Sequence, residues 1–395
     1  MINFCFMRLI CRFFLFFCFA FFTNVLFAQT EAKHYKIAVF SPIYLDSAFD
    51  GDTYKAGINN LPKSVLPGLD FYNGVMMAID SLQQEGINAE VFVYDTKSAS
   101  INSIIQKKEL NDVSLIIASF TNRAEIKPLA DFALLKKIPL ISSTYPNDIG
   151  IKNNPYFVIL NSTLRAHCEE LYKHLQKYYA TGNIVMFRKK GVVEDLIQSF
   201  FAESAKTTAA IPLKIKTVEL SDTFKTRNVL FALDSTKKNV VICGTINEVF
   251  GLRLVRALSA SPDYISIAIG MPTWDGIKDL DKPDCKGVDI VYSTPYNFPK
   301  TDKLVNLFIS NYKTKYAGRP SDMAFKGFED MYHFTKILLA HDQNTINFLS
   351  EKSYKLFHDF DIRAVKSRTS NNIDYLENRK LYFIKKADGI IKSIN

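Results

Sequence analysis

Past the first thirty residues, the chain has no apolar run long enough to cross a bilayer and no His/Cys spacing suited to a metal. The short signatures of catalysis are missing as well. We find no G-x-S-x-G elbow, no H-E-x-x-H helix, no C-x-x-C, no Walker A loop and no glycine fingerprint for a dinucleotide. The six histidines are scattered, and "HDFD" (His358 to Asp361) has no second cluster to work with. These absences argue against an enzyme, and no cofactor or metal is expected. Cysteine is scarce too. Cys5, Cys11 and Cys18 fall near the start, leaving Cys168, Cys243 and Cys285, an odd number that allows at most one internal disulfide. Cys168 lies in a helical pattern and Cys243 in a strand pattern, which suits small buried hydrophobes. Dense charge blocks are also absent. The formal charge is +9, but basic and acidic residues alternate, so no nucleic-acid stripe is read. A solvated basic surface is the plain reading, with loose attraction to anionic envelope polymers or lipid head groups as the alternative.

What is present begins with a leader. Arg8 and Arg12 precede the apolar block "FFLFFCFAFF" (Phe13 to Phe22), and Ala28 closes "TNVLFA". A positive start, a short apolar stretch and a small-residue exit predict a signal peptide over residues 1–28, cleaved near Ala28, and hence a periplasmic or otherwise exported protein. An uncleaved anchor is the alternative; Thr23 and Asn24 interrupt the block well short of about 20 residues. A lipoprotein signal is disfavoured because Phe17, not a small residue, precedes Cys18. Removing the two leader arginines leaves +7 on the mature chain.

At 395 residues the chain is too long for one ordinary core. Strand and helix patterns alternate along it, predicting an α/β fold with parallel sheets. "VSLIIASF" and "IPLISST" are unbroken apolar runs, as in strands covered on both faces. "SINSIIQKKEL" and "FKTRNVLFALDSTK" read as helices, "YFVILNS" as the first strand of a second series. The division expected is a first lobe over 29–153, a second over 154–290, and a segment over 291–395 that returns to complete both. It contains two long helices and ends in a hairpin turning at Asp388-Gly389. The loop from Ser41 to Gly68 is long; its acids Asp46, Asp50 and Asp52 do not match a calcium site.

The ordered set "KIAVFSPI", "LPGLDFYNGVMMAIDSL", "IIASFTNRAEIKPLADFALLKKIPLISST", "VVICGTINEVFGLRLVRAL" and "KGFEDMYHFTKILL" resembles the type I periplasmic solute-binding proteins, in the branch that binds leucine, isoleucine and valine. The resemblance covers almost all of Lys36 to Ala340. It implies two Rossmann-like open-sheet lobes joined by three crossovers, with ligand in the cleft between them. That agrees with the rule that parallel sheets bind ligands beyond the carboxyl ends of their strands.

The resemblance also implies contacts. Ser119, Phe120, Thr121 and Asn122 match the loop that meets a ligand's carboxylate, and Ser142, Ser143 and Thr144 match a second contact loop. Helix capping by Thr121 or Asn122, with Glu125 at the capping-box position, explains part of the first loop without any ligand. Turn chemistry before Pro146 does the same for the second. Glu248 in "CGTINEVFG" falls on the acidic position that pairs with an ammonium, or is an ordinary first-turn acid. Trp274, the sole tryptophan, follows a strand, where it could stack on a ligand or pack in the core. One departure stands out: Lys189-Lys190-Gly191-Val192-Val193 occupies the place of a Tyr-Gly pair. The function expected is capture of a small polar, amino acid-like ligand for a membrane permease of the ABC type, with no nucleic-acid partner. The alternative is an envelope accessory or sensor using the same scaffold to bind a protein partner or cell-wall fragment.

Overall fold

The computed structural model describes residues 35–55, 61–299, 301–367 and 370–394. The expected signal peptide, including Ala28, lies outside them. No described helix is long and apolar enough to cross a membrane.

The first sheet is built from β1 (Lys36–Ser41), β2 (Glu90–Asp95), β3 (Leu115–Ala118), β4 (Leu140–Ser142) and β5 (Phe157–Ile159), all parallel, in the spatial order β5-β4-β3-β1-β2. The second repeats this order with β6 (Asn183–Arg188), β7 (Ile215–Glu219), β8 (Asn239–Cys243), β9 (Ser266–Ile269) and β10 (Asp289–Thr294), as β10-β9-β8-β6-β7. Reversal of the strand order between the first and third strands creates a crevice at the carboxyl ends of each sheet.

The end of the chain then serves both sheets. β11 (Ile362–Lys366) and β12 (Ile373–Asn378) extend the first, with β12 parallel to β5; β13 (Tyr382–Ala387) and β14 (Ile390–Ile394) extend the second. Asp388 and Gly389 both have positive φ, 48° and 84°, as a two-residue hairpin turn requires. Three crossings result, at 160–163, 295–302 and 379–381. Each leaves the carboxyl end of a strand, so the two crevices face each other across a cleft.

Helices cover both faces of each sheet. In the first lobe α1 (Leu66–Gln84) and α8 (Asp322–His341) cover one face, and α2 (Arg123–Lys136) the other. In the second, α3 (Leu164–Tyr179) and α4 (Val192–Thr207) lie opposite α6 (Glu248–Ser259). The helices α5 (Thr226–Leu230) and α7 (Lys303–Tyr316) complete the set named here. Helices α1 and α8 cross backbone to backbone. A Cβ on Gly74 would stand 2.0 Å from the Ala324 carbonyl oxygen, and one on Gly327 2.1 Å from that of Phe71.

Several expectations are corrected. The strand at 157–159, read as opening the second series, pairs with β4 in the first sheet. Its apolar pattern suits either sheet, and no helix intervenes between 143 and 156 to signal the membership. "SINSIIQKKEL" is one short turn, Ile101–Ile104, then a 3₁₀ segment, and "FKTRNVLFALDSTK" is helical only over the five residues of α5. The spacing of Leu304, Leu307, Phe308 and Tyr312 predicts one packed face on α7, but the buried stripe is Val305, Phe308 and Tyr312, and Leu304 and Leu307 are exposed.

Candidate functional site: the cleft floor

Strand register aligns the residues just past the strand ends. Phe40 pairs with Ala118 and Ala118 with Ser142, so Ser41, Ser119 and Ser143 form a lateral row. Backbone bonds close it: Ser119 N donates to Phe40 O at 2.9 Å, and Ser143 N to Ala118 O at 2.9 Å. Val39, Ile117 and Ile141, two residues earlier, pack toward α1 and α8, so the alternation turns the serines to that side as well. All three are fully buried. Ser41 Oγ donates to Gly68 O at 2.8 Å, whereas the Ser119 and Ser143 hydroxyls have no protein partner; nor has Ser142, which faces the other side.

Asp330 of α8 lies against this row. It is fully buried, and neither carboxylate oxygen makes a hydrogen bond; the Ser143 hydroxyl faces it without closing one. Burial, reinforced by the neighbouring Glu329, pushes its carboxyl up to about 8, against the opposing pull of Ser143 and Lys326. Tyr296, on the second crossing, donates from Oη to Ser143 O at 2.7 Å. The Lys326 ammonium stands 3.8 Å from the centre of the Tyr296 ring. Burial lowers the Lys326 pKa, opposed by the charges of Asp322, Asp330 and Asp275. Asp275 comes from the second lobe, so floor residues of both lobes feel one another across the cleft.

Next to Asp330, Glu329 pins the second crossing. Its Oε1 accepts from Phe357 N at 2.8 Å and His358 N at 2.7 Å, and its Oε2 pairs with His358 Nδ1 at 2.5 Å. His358 Nε2 accepts from Asn297 N at 2.8 Å. Both side chains are buried.

The sequence-predicted residues divide into four groups. Ser119, Ser142, Ser143 and Thr144 stand together at the strand ends; Thr144 Oγ1 donates to Phe120 O at 2.9 Å and joins the two loops. Asn122 is the N-cap of α2, accepting from Ala124 N at 2.9 Å, with Thr121 exposed beside it. Glu125 is not a full capping box. Its Oε2 accepts from Thr121 N at 3.4 Å, one residue early, and its Oε1 pairs with Lys97 at 2.5 Å. Phe120 and Trp274 belong to cores instead of the cleft. Phe120 packs under α2. Trp274 is fully buried in the second lobe, where a Cβ on Gly251 or Gly270 would come within 2.6 or 2.0 Å of its ring. An indole in that slot has no face left for a ligand. Glu248 is exposed, the first residue of α6, whose cap is Asn247 accepting from Phe250 N at 2.9 Å.

On the second lip, Lys189 pairs with Asp222 at 3.3 Å. With Lys190, Glu219 and Ser221 they line a cavity of about 360 Å³ at the ends of β6 and β7, in which charges of both signs balance. Thr245 Oγ1 donates to Glu194 Oε1 at 2.6 Å and staples the loop after β8 to α4.

Sequence reasoning missed Asp330, Lys326, Tyr296 and Asp275. One signal was present: Asp330 interrupts the stripe Gly327, Phe334 and Ile337 at helical spacing, where a carboxylate has no reason to be on packing grounds.

No protein-family model and no curated protein matches the chain. Solved structures do match in fold. A branched-chain amino acid ABC transporter periplasmic ligand-binding protein from Burkholderia xenovorans LB400 superposes with a TM-score of 0.63 at 11% identity, over 92% of this chain and 95% of that one. An ABC transporter substrate-binding protein from Desulfitobacterium hafniense, in complex with Leu, gives 0.55 at 12% identity, over 92% and 100%. A leucine-binding protein from Thermotoga maritima gives 0.53 at 13%, over 91% and 98%. The chain has the two-lobed type I periplasmic-binding-protein fold.

Proposed function

We propose that this protein is an exported solute-binding protein that captures a small polar, amino acid-like ligand between its lobes for an ABC-type importer. The observation that carries the reading is the pair of buried, unpartnered hydroxyls of Ser119 and Ser143 at the strand ends of the first lobe, in the cleft between two facing crevices. Buried polar groups cost roughly 1–3 kcal/mol each when left unpaired, and sites that bind polar solutes keep such groups in readiness. Three short crossings support closure, because a hinge needs only a few residues to absorb the change in backbone angles.

The test pairs a thermal-shift screen of the mature chain with small-angle scattering. A hit that also reduces the radius of gyration supports capture by closure. A protein that binds no solute and keeps its radius across the screen is a rigid scaffold, which favours the accessory or sensor role.

A further inference from the structure

We infer that Asp330 is the specificity-determining carboxylate of the cleft floor and that it takes the ammonium group of an amine-bearing solute. The inference rests on the solute-binding reading and names the ligand class. The acid expected to perform this task, Glu248, stands exposed on the rim of α6. Asp330 is the opposite case: fully buried, with both oxygens unpartnered. The Ser119 and Ser143 hydroxyls stand in one row on its side of the sheet and are unpartnered too. An alkylammonium carries three N–H donors, and this corner supplies one carboxylate and two hydroxyl oxygens as acceptors.

The surrounding charge favours a cation. Around Asp330, Asp275 and Asp322 act on the floor, against Lys326. Glu329 is already engaged with His358. Lys326 does not close an ion pair with Asp330 one turn along the helix; its ammonium rests on the Tyr296 ring instead. Tyr296 roofs the corner through its bond to Ser143 O. Because it rides on the second crossing, lobe opening would lift it and admit the solute.

At neutral pH the buried carboxyl holds its proton, whereas the ammonium complex requires the carboxylate. Binding therefore transfers the Asp330 proton to buffer. The experiment uses the mature chain, wild type and Asp330→Asn, with two probe sets. The first contains the proteinogenic amino acids, putrescine and spermidine; the second contains glucose, succinate and 4-methylpentanoate, which lack an amine. We expect a thermal shift from at least one amine and a loss of its affinity of tenfold or more in Asp330→Asn. Calorimetry near pH 7 in phosphate and in Tris should show release of about one proton by the wild type. Ser119→Ala with Ser143→Ala, which leaves the carboxyl in place, should weaken the same amine. Hits confined to the amine-free set, amine binding unchanged in Asp330→Asn, or binding heats independent of buffer would overturn the assignment and leave solute capture standing. Silence of both sets together with an unchanged radius of gyration would overturn solute capture itself, and this assignment with it.

Discussion

Replacing Asp330 by asparagine keeps the shape of the side chain and removes its ionisation, so it isolates the cost of a buried, unpartnered carboxyl. In the folded protein that carboxyl is raised from 3.8 to about 8. Between these values the native state holds a proton that the unfolded chain has released, so stability falls as pH rises through this window. One pKa unit corresponds to about 1.4 kcal/mol. Across three pH units, from about 4.5 to about 7.5, the wild type should therefore lose roughly 4 kcal/mol relative to Asp330→Asn. Other carboxylates titrate in both proteins and cancel in the difference. The assay is urea denaturation of both proteins at half-unit pH steps, with the gap in unfolding free energy plotted against pH. A gap that moves in favour of asparagine by about 1.4 kcal/mol per pH unit meets the expectation. A flat gap, or one that moves toward the wild type as pH rises, would mean that Asp330 is ionised and paired, and the account of the cleft floor would be wrong.

Gly327→Ala drives a methyl against the Phe71 carbonyl at 2.1 Å, so α1 and α8 must separate; we expect a loss of about 3 kcal/mol or more in urea titration, above the usual range for one added methyl group. Tyr296→Phe deletes the bond to Ser143 O and should cost about 1 kcal/mol of stability. The same change should enlarge the ligand-free radius of gyration if that bond restrains the lobes. His358→Ala removes the partner of Glu329 Oε2 while the two backbone bonds to Oε1 remain, and should cost about 1–3 kcal/mol by the same titration. Trp274→Phe should destabilise by about 1–3 kcal/mol while leaving the affinity for any thermal-shift hit unchanged, since the indole lies in the core.

The parts of the fold legible in the sequence are those that rest on local chemistry. Unbroken apolar strands such as "LIIA" needed helices on both faces, Asp388-Gly389 needed a tight turn, and Asn122 needed a helix to cap. Sheet membership was harder: β5 follows β4 through a loop without a helix, its other partner β12 lies far along the chain, and either sheet would bury the same side chains. Within the site, hydroxyl-bearing strand ends were visible as a cluster. Trp274 stayed open between cleft and core because a large aromatic after a strand suits either, and the glycines at 251 and 270 create the slot that takes it. Asp330 was overlooked because it lies in a stretch dominated by its resemblance to a packing helix. Its significance is the absence of partners, which depends on three segments meeting in space.

The shared ending of the two sheets ties their assembly together. Neither sheet is complete until residues 362–394 are in place, since β12 must find β5 and β13 must find β10. A nascent or clipped chain lacking this tail would present two open strand edges, one on each lobe, as ready templates for pairing with another copy. The last segment thus works as a closing stitch. Its loss should make the two-lobed protein prone to aggregate even though the cleft-floor residues Ser119, Ser143, Lys326 and Asp330 would all still be present in the chain.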